Sequence, residues 1–146
     1  MIFQQILDNY ILKLTLFAWA IAQILKVLIV LGTQKKWDFT RLVGAGGMPS
    51  SHSALVTSLA TGIGRYYGFD SGEFALAITI AMVVMYDAAG IRRAAGKQAE
   101  VLNQLLDDLY HHRAEFNRER LKELLGHTPV EVFAGAALGI VVGMFA

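Results

Sequence analysis

The sequence predicts an all-α membrane protein: a polytopic helical bundle of about four short spans, with an amphipathic helical segment between the third and fourth. Apolar residues make up 55% of the 146 positions, against about 45–50% in ordinary soluble domains, and the mean hydropathy is +0.46. The apolar residues are also gathered into long runs separated by charged stretches, the pattern of spans and loops. A chain of this length has room for one compact domain, taken as residues 1–146. Thirteen basic against 12 acidic residues give a net charge of +1, so the strong basic patch that nucleic acid demands is missing and that partner is set aside. There is no cysteine, which removes disulfides, thiolate metal sites and a cysteine nucleophile.

The first span is expected over residues 11–32, interrupted by Lys13, Gln23 and Lys26. It exceeds a signal-peptide h-region and lacks a basic n-region, the charged residue before it being Asp8. Residues 53–69 form a second, shorter apolar segment with Arg65 near its end, residues 74–91 a third, and residues 129–146 a fourth. Residues 97–125 are charged, with Leu102, Leu105, Leu106 and Leu109 at i, i+3, i+4, i+7. That spacing predicts an amphipathic helix or helical hairpin packed on the bundle. His111 and His112 are neighbours in this stretch, and helical neighbours point about 100° apart, too divergent to share a metal.

Loop charge orients the spans. Loop one carries Lys35, Lys36 and Arg41, the short loop near Asp70 and Glu73 carries no Lys or Arg, and loop three begins with Arg92, Arg93 and Lys97. The positive-inside rule then puts loops one and three in the cytoplasm and both termini outside. A multi-pass protein of the cell's inner or plasma membrane is expected, surrounded by membrane lipids.

Two segments sit where a polar loop turns into an apolar helix: Gly46-Gly47-Met48-Pro49-Ser50-Ser51-His52-Ser53 and Gly126-His127-Thr128-Pro129-Val130-Glu131-Val132. A histidine there lies beside unpaired backbone N–H groups and the positive end of the helix dipole, the parts of an anion site. In the first, Ser50 and Ser51 can cap the helix or face an anion, and the glycines allow close backbone approach. In the second, Thr128 at N-cap, Pro129 at N1 and Glu131 at N3 compose a capping box, so Glu131 is either a cap or a partner for His127. Glu131 also shares an i, i+4 stripe with Gly135, Gly139 and Gly143, a face suited to close helix packing within the chain or in a homodimer. A carboxylate at Asp87, inside the third span, either pairs with Arg92, Arg93 or Lys26 or serves as a metal ligand.

With these residues in view, the chain resembles the type-2 phosphatidic acid phosphatases and vanadium haloperoxidases, whose motifs are Lys-x6-Arg-Pro, Pro-Ser-Gly-His and Ser-Arg-x5-His-x3-Asp. Pro49-Ser50-Ser51-His52 is similar to the second motif with serine for glycine. The run from His127 through Glu131 to Gly135 is similar to the third with glutamate for aspartate. Together with residues 84–93, Leu102-Asn103 and Leu125–Pro129, the chain looks like the small divergent bacterial and plastid branch of that superfamily over most of residues 20–146. Two departures stand out: Lys35 and Lys36 precede Arg41 by the wrong interval with Leu42 in place of proline, and Leu121 occupies the position of the third motif's arginine.

The resemblance implies a membrane phosphatase for a lipid phosphate monoester or an isoprenoid diphosphate, a phosphatidylglycerophosphate-like lipid being favoured for a cytoplasmic site. It makes His127 the nucleophile of a phosphohistidine, Glu131 its orienting carboxylate and His52 the acid and base. Ser50, Ser51, Lys36, Arg41, Arg92 and Arg93 hold the phosphate, Asp87 and Lys26 are either structural or catalytic, and no metal or cofactor is required. Two alternatives stay open: a non-catalytic anion- or lipid-binding, transport-like protein on the same scaffold, and a metal-dependent hydrolase built on His52, Asp87, His127 and Glu131.

Overall fold

The computed structural model describes residues 1–35, 37, 47–109 and 126–145, with the backbone alone for residues 92, 93 and 107–109. Six helices follow one another: α1 (Ile2–Asp8), α2 (Tyr10–Gln34), α3 (Ser51–Tyr67), α4 (Gly72–Ala89), α5 (Ile91–Leu109) and α6 (Pro129–Phe145). Among the described residues there is no strand. The four apolar runs thus become α2, α3, α4 and α6, within two or three residues of the expected bounds.

Local chemistry sets each boundary. Asn9 breaks α1 from α2 and caps the latter, its side-chain oxygen accepting from the Leu12 amide at 3.0 Å. The 25 residues of α2 extend about 37 Å and end at Lys35, which turns left-handed at φ 53°. Ser50 caps α3, accepting from the Ser53 amide at 3.3 Å. Gly68, at φ 99°, ends that helix in a conformation that other residues rarely adopt. Ser71 then accepts from the Phe74 amide at 3.1 Å to open α4. The α4–α5 junction is Gly90, and α5 begins at residue 91 rather than near 97, the run Arg92-Arg93-Ala94-Ala95 being made of strong helix formers.

Helix α3 is the centre of the bundle, packed on α6, α2 and α4. It runs antiparallel to α2: Gly62 faces Leu14 and Ile11 at one end, while Ser51 meets Lys26 at the other. It runs parallel to α6, since Gly135 faces Ser50, Gly139 faces Ala54 and Thr57, and Gly143 faces Thr61. Four residues on one helix match about four on the other, a ridge of α3 seated on the glycine face. The Thr57 hydroxyl lies 2.8 Å from the Ser53 carbonyl and 3.1 Å from that of Ala136, sharing its proton between the two helices. The face considered for a homodimer is therefore already filled by α3 of the same chain, because only a residue without Cβ allows the two backbones this close.

The distribution of polarity is the reverse of a water-soluble domain. Ser53, Thr57, Ser58 and Thr61 are buried with Ala18, Ala22, Ala54 and Ala81, whereas Phe17, Ile24, Leu76, Met82, Val83, Phe133 and Val141 are exposed. Small and hydroxylated residues between helices, with large apolar side chains outside, are what hydrocarbon selects as solvent. Two helical runs, Tyr10–Gln34 and Gly72–Leu106, are long and apolar enough to cross a membrane, and α6 is a shorter apolar helix.

Candidate functional site

The starts of α3 and α6 lie side by side, tied by a hydrogen bond from the Ser50 amide to the Glu131 carbonyl at 2.9 Å. The two histidine motifs are thereby brought to one end of the bundle. The His52 and His127 rings stand 6.2 Å apart between centroids, inclined by 63°. His52 is exposed at this end, and His127 is only 4% exposed.

Glu131 turns out to be both a cap and a histidine partner. The Thr128 amide donates to its Oε2 at 2.9 Å and the Glu131 amide meets the Thr128 hydroxyl at 3.3 Å, a complete capping box. The same Oε2 lies 3.2 Å from His127 Nδ1. An ionised carboxylate only accepts, so the shared proton belongs on Nδ1 and the lone pair of a neutral ring on Nε2, which is also buried. The arrangement can present a nitrogen nucleophile backed by a carboxylate.

Around this pair Ser50 and Ser51 are both buried, and the Ser53 hydroxyl donates to Ser50 Oγ at 3.1 Å. Lys26, 2% exposed, comes from the middle of α2 and donates from Nζ to Ser51 Oγ at 3.1 Å. Its stem passes Gly47, at φ 84°, where an added Cβ would lie 4.0 Å from Lys26 Cγ and Cδ. The sequence offers Lys26 as an interruption of a span, as a partner for Asp87 and as a residue either structural or catalytic, without placing it beside Ser51. The signal that could have raised its rank is that a lysine so far inside an apolar helix needs a polar destination.

Lys36 and Arg41 lie outside the described residues, as does Leu121. Arg92 and Arg93 fall in the first turn of α5, just past the end of α4, which by topology is the site's end of the bundle. Asp87 stands in the last turn of α4 and is half-buried. Among the described residues no three His, Asp or Glu side chains come together to hold a metal ion, so the grouping of His52, Asp87, His127 and Glu131 as a metal centre has no geometric support.

The sequence matches the model of one family, the Divergent PAP2 family, over residues 7–142. The chain belongs to that family. A relative from Bacillus subtilis (strain 168), described as the uncharacterized membrane protein YuiD, is 42% identical over 93% of this chain and 92% of its own length. No solved structure matches. Membership of the Divergent PAP2 family and likeness to a membrane protein along nearly the whole length agree with the helical membrane bundle described above.

Proposed function

We propose that the protein is a membrane phosphatase that removes the terminal phosphate of a lipid phosphate monoester or an isoprenoid diphosphate, with a phosphatidylglycerophosphate-like lipid as the favoured substrate. The observation that carries this reading is the trio of His127, Glu131 and His52 at the joined starts of α3 and α6. Reacting atoms sit about 3–3.5 Å from their catalytic groups, so two rings 6.2 Å apart can address one phosphoryl group from two sides. His127 Nε2 attacks phosphorus, forming the N–P bond as the P–O bond to the lipid breaks, and His52 gives its proton to the departing oxygen. Neutral His52 next takes a proton from water, whose oxygen displaces phosphate from His127. Glu131 holds the Nδ1 proton and supports the positive charge on the ring throughout. Lys26, the Ser50 and Ser51 hydroxyls and the first amides of α3 hold the phosphate oxygens.

The lysines and arginines of loops one and three support, by the positive-inside rule, a site at the cytoplasmic face of the cell membrane, where an anionic head group can enter from the lipid side. Purified protein in detergent, presented with a panel of lipid phosphates, tests the proposal. Release of inorganic phosphate, insensitive to EDTA and inhibited by vanadate, is expected, with acid-labile phosphate trapped on the chain at short times. Absence of turnover across the panel would reject the enzyme in favour of an anion-binding scaffold.

A further inference from the structure

Ser51 stands where the resembling motif has glycine, and α2 supplies it with a partner: Lys26 Nζ donates to its hydroxyl at 3.1 Å. Both side chains are buried, Lys26 at 2% and Ser51 at 3% exposure. Lysine is a point charge on a flexible four-carbon stem, so an ammonium reaching out of a helix interior has no fixed end point of its own. Two features fix this one. The Gly47 backbone lies along the Lys26 stem, the place of a Cβ on Gly47 being 4.0 Å from Cγ and Cδ, and the Ser51 hydroxyl receives the tip. Ser51 is the first residue of α3, immediately after the Ser50 cap and before His52, so the ammonium ends beside the helix start that faces both histidines.

We propose that Ser51 is a positioning residue that holds Lys26 as the α2-borne cation of the phosphate site. A hydroxyl has two acceptor lone pairs and one proton. Accepting from Lys26 leaves the Ser51 proton to donate outward, and the neighbouring positive charge strengthens that donation. Serine in this place thus recruits a cation from within a membrane span. This inference rests on the reading of the site as one for phosphate, but it concerns how the cation is held and not which ester is cleaved.

The test is a double-mutant cycle of Ser51→Ala and Lys26→Met, read as binding of inorganic phosphate and vanadate to the detergent-solubilised full chain and, where turnover is seen, as kcat and KM. Hydrogen bonds to charged groups set the expected scale: each single variant weakens anion binding roughly ten- to hundredfold, chiefly in KM. The two losses are strongly non-additive, the double variant falling below Lys26→Met only by the direct contact of the Ser51 hydroxyl, and Ser51→Thr, which keeps the hydroxyl, recovers most of the loss. Thermal unfolding in detergent checks that each variant is folded, and Ser51→Gly replaces Ser51→Ala should the latter fail. Additive losses, or full binding by Ser51→Ala, overturn the positioning role while leaving the phosphate site intact. Failure of the unaltered protein to bind either anion overturns the phosphate reading itself, and the role of Ser51 with it.

Discussion

The Ser50 amide donates to the Glu131 carbonyl at 2.9 Å, and this bond joins the two motifs that are farthest apart in the sequence. The amide belongs to the cap of α3 and the carbonyl to the first turn of α6. The parallel register of the two helices therefore begins at the site and continues down the glycine face. Packing and chemistry are not separate here, because the contact that aligns Gly135 with Ser50 also sets the distance between His52 and His127.

His127→Ala is expected to abolish turnover and any covalent phosphoenzyme. His52→Ala is expected to slow the reaction by about 10²–10⁴-fold, the usual worth of a positioned proton donor, and least for substrates with good leaving groups. Phosphate release and rapid-quench trapping measure both. A fully active His127→Ala protein would end the phosphohistidine scheme.

Glu131 carries two duties on one oxygen, and two substitutions separate them. Glu131→Gln retains an acceptor for the Thr128 amide and should leave thermal unfolding nearly unchanged, yet it removes the charge that supports a cationic His127 and should depress kcat. Glu131→Ala should depress kcat and also lose about 1 kcal/mol of stability with the cap. Equal activity of Glu131→Gln and the unaltered protein would reduce Glu131 to a helix cap.

Much of this architecture was legible because spans, caps and small-residue stripes are local patterns. The Thr128-Pro129-Val130-Glu131 box and the i, i+4 glycines could be read directly, and each is found in the structure with its expected bonds or close contacts. What the glycine face would meet was not legible, since the same stripe serves a neighbouring helix or a second copy equally well. The rank of Lys26 was hidden for a similar reason: its value depends on α2 running antiparallel to α3, a tertiary fact that brings Ser51 within 3.1 Å. The seven-residue helix α1 went unread because it is too short to show a long apolar period and is parted from α2 only by Asn9, whose side chain caps α2.

The α3–α6 contact predicts a sharp contrast between glycines. A Cβ at Gly139 would run into the Ala54 carbonyl and the Thr57 hydroxyl, whereas one at Gly32 meets nothing within 4 Å. Gly139→Leu should therefore lower stability by about 1–3 kcal/mol or more and displace His127 from His52, with loss of anion binding. Gly32→Ala, in the interior of α2, should be neutral or stabilising by about 0.5–1 kcal/mol. Unfolding titrations in detergent compare the two, and a Gly139→Leu protein as stable as the original would contradict the observed packing.

Sidedness gives the broadest check, because the whole site depends on α3 and α6 entering the membrane from one face. The turn from Gly68 to Ser71 lies at the far end of the bundle from Ser50 and His127, while the ends of α2 and α4 and the starts of α3 and α6 lie at the near end. Since the chain contains no cysteine, single cysteines at Lys36, Lys97 and Ser71 report position without background. Lys36→Cys and Lys97→Cys should react with a membrane-impermeant maleimide only after the cytoplasmic side is opened, and Ser71→Cys should react in intact cells. Lys36 and Lys97 belong to the basic loops, so their inward placement follows from the positive-inside rule, while their equivalence to each other is expected from α2 and α4 ending at the same end of the bundle. Labelling of all three in the reverse sense would move the site to the outer face and leave the bundle standing. Labelling of Lys36→Cys and Lys97→Cys from opposite sides would break the bundle topology on which the convergence of His52 and His127 rests.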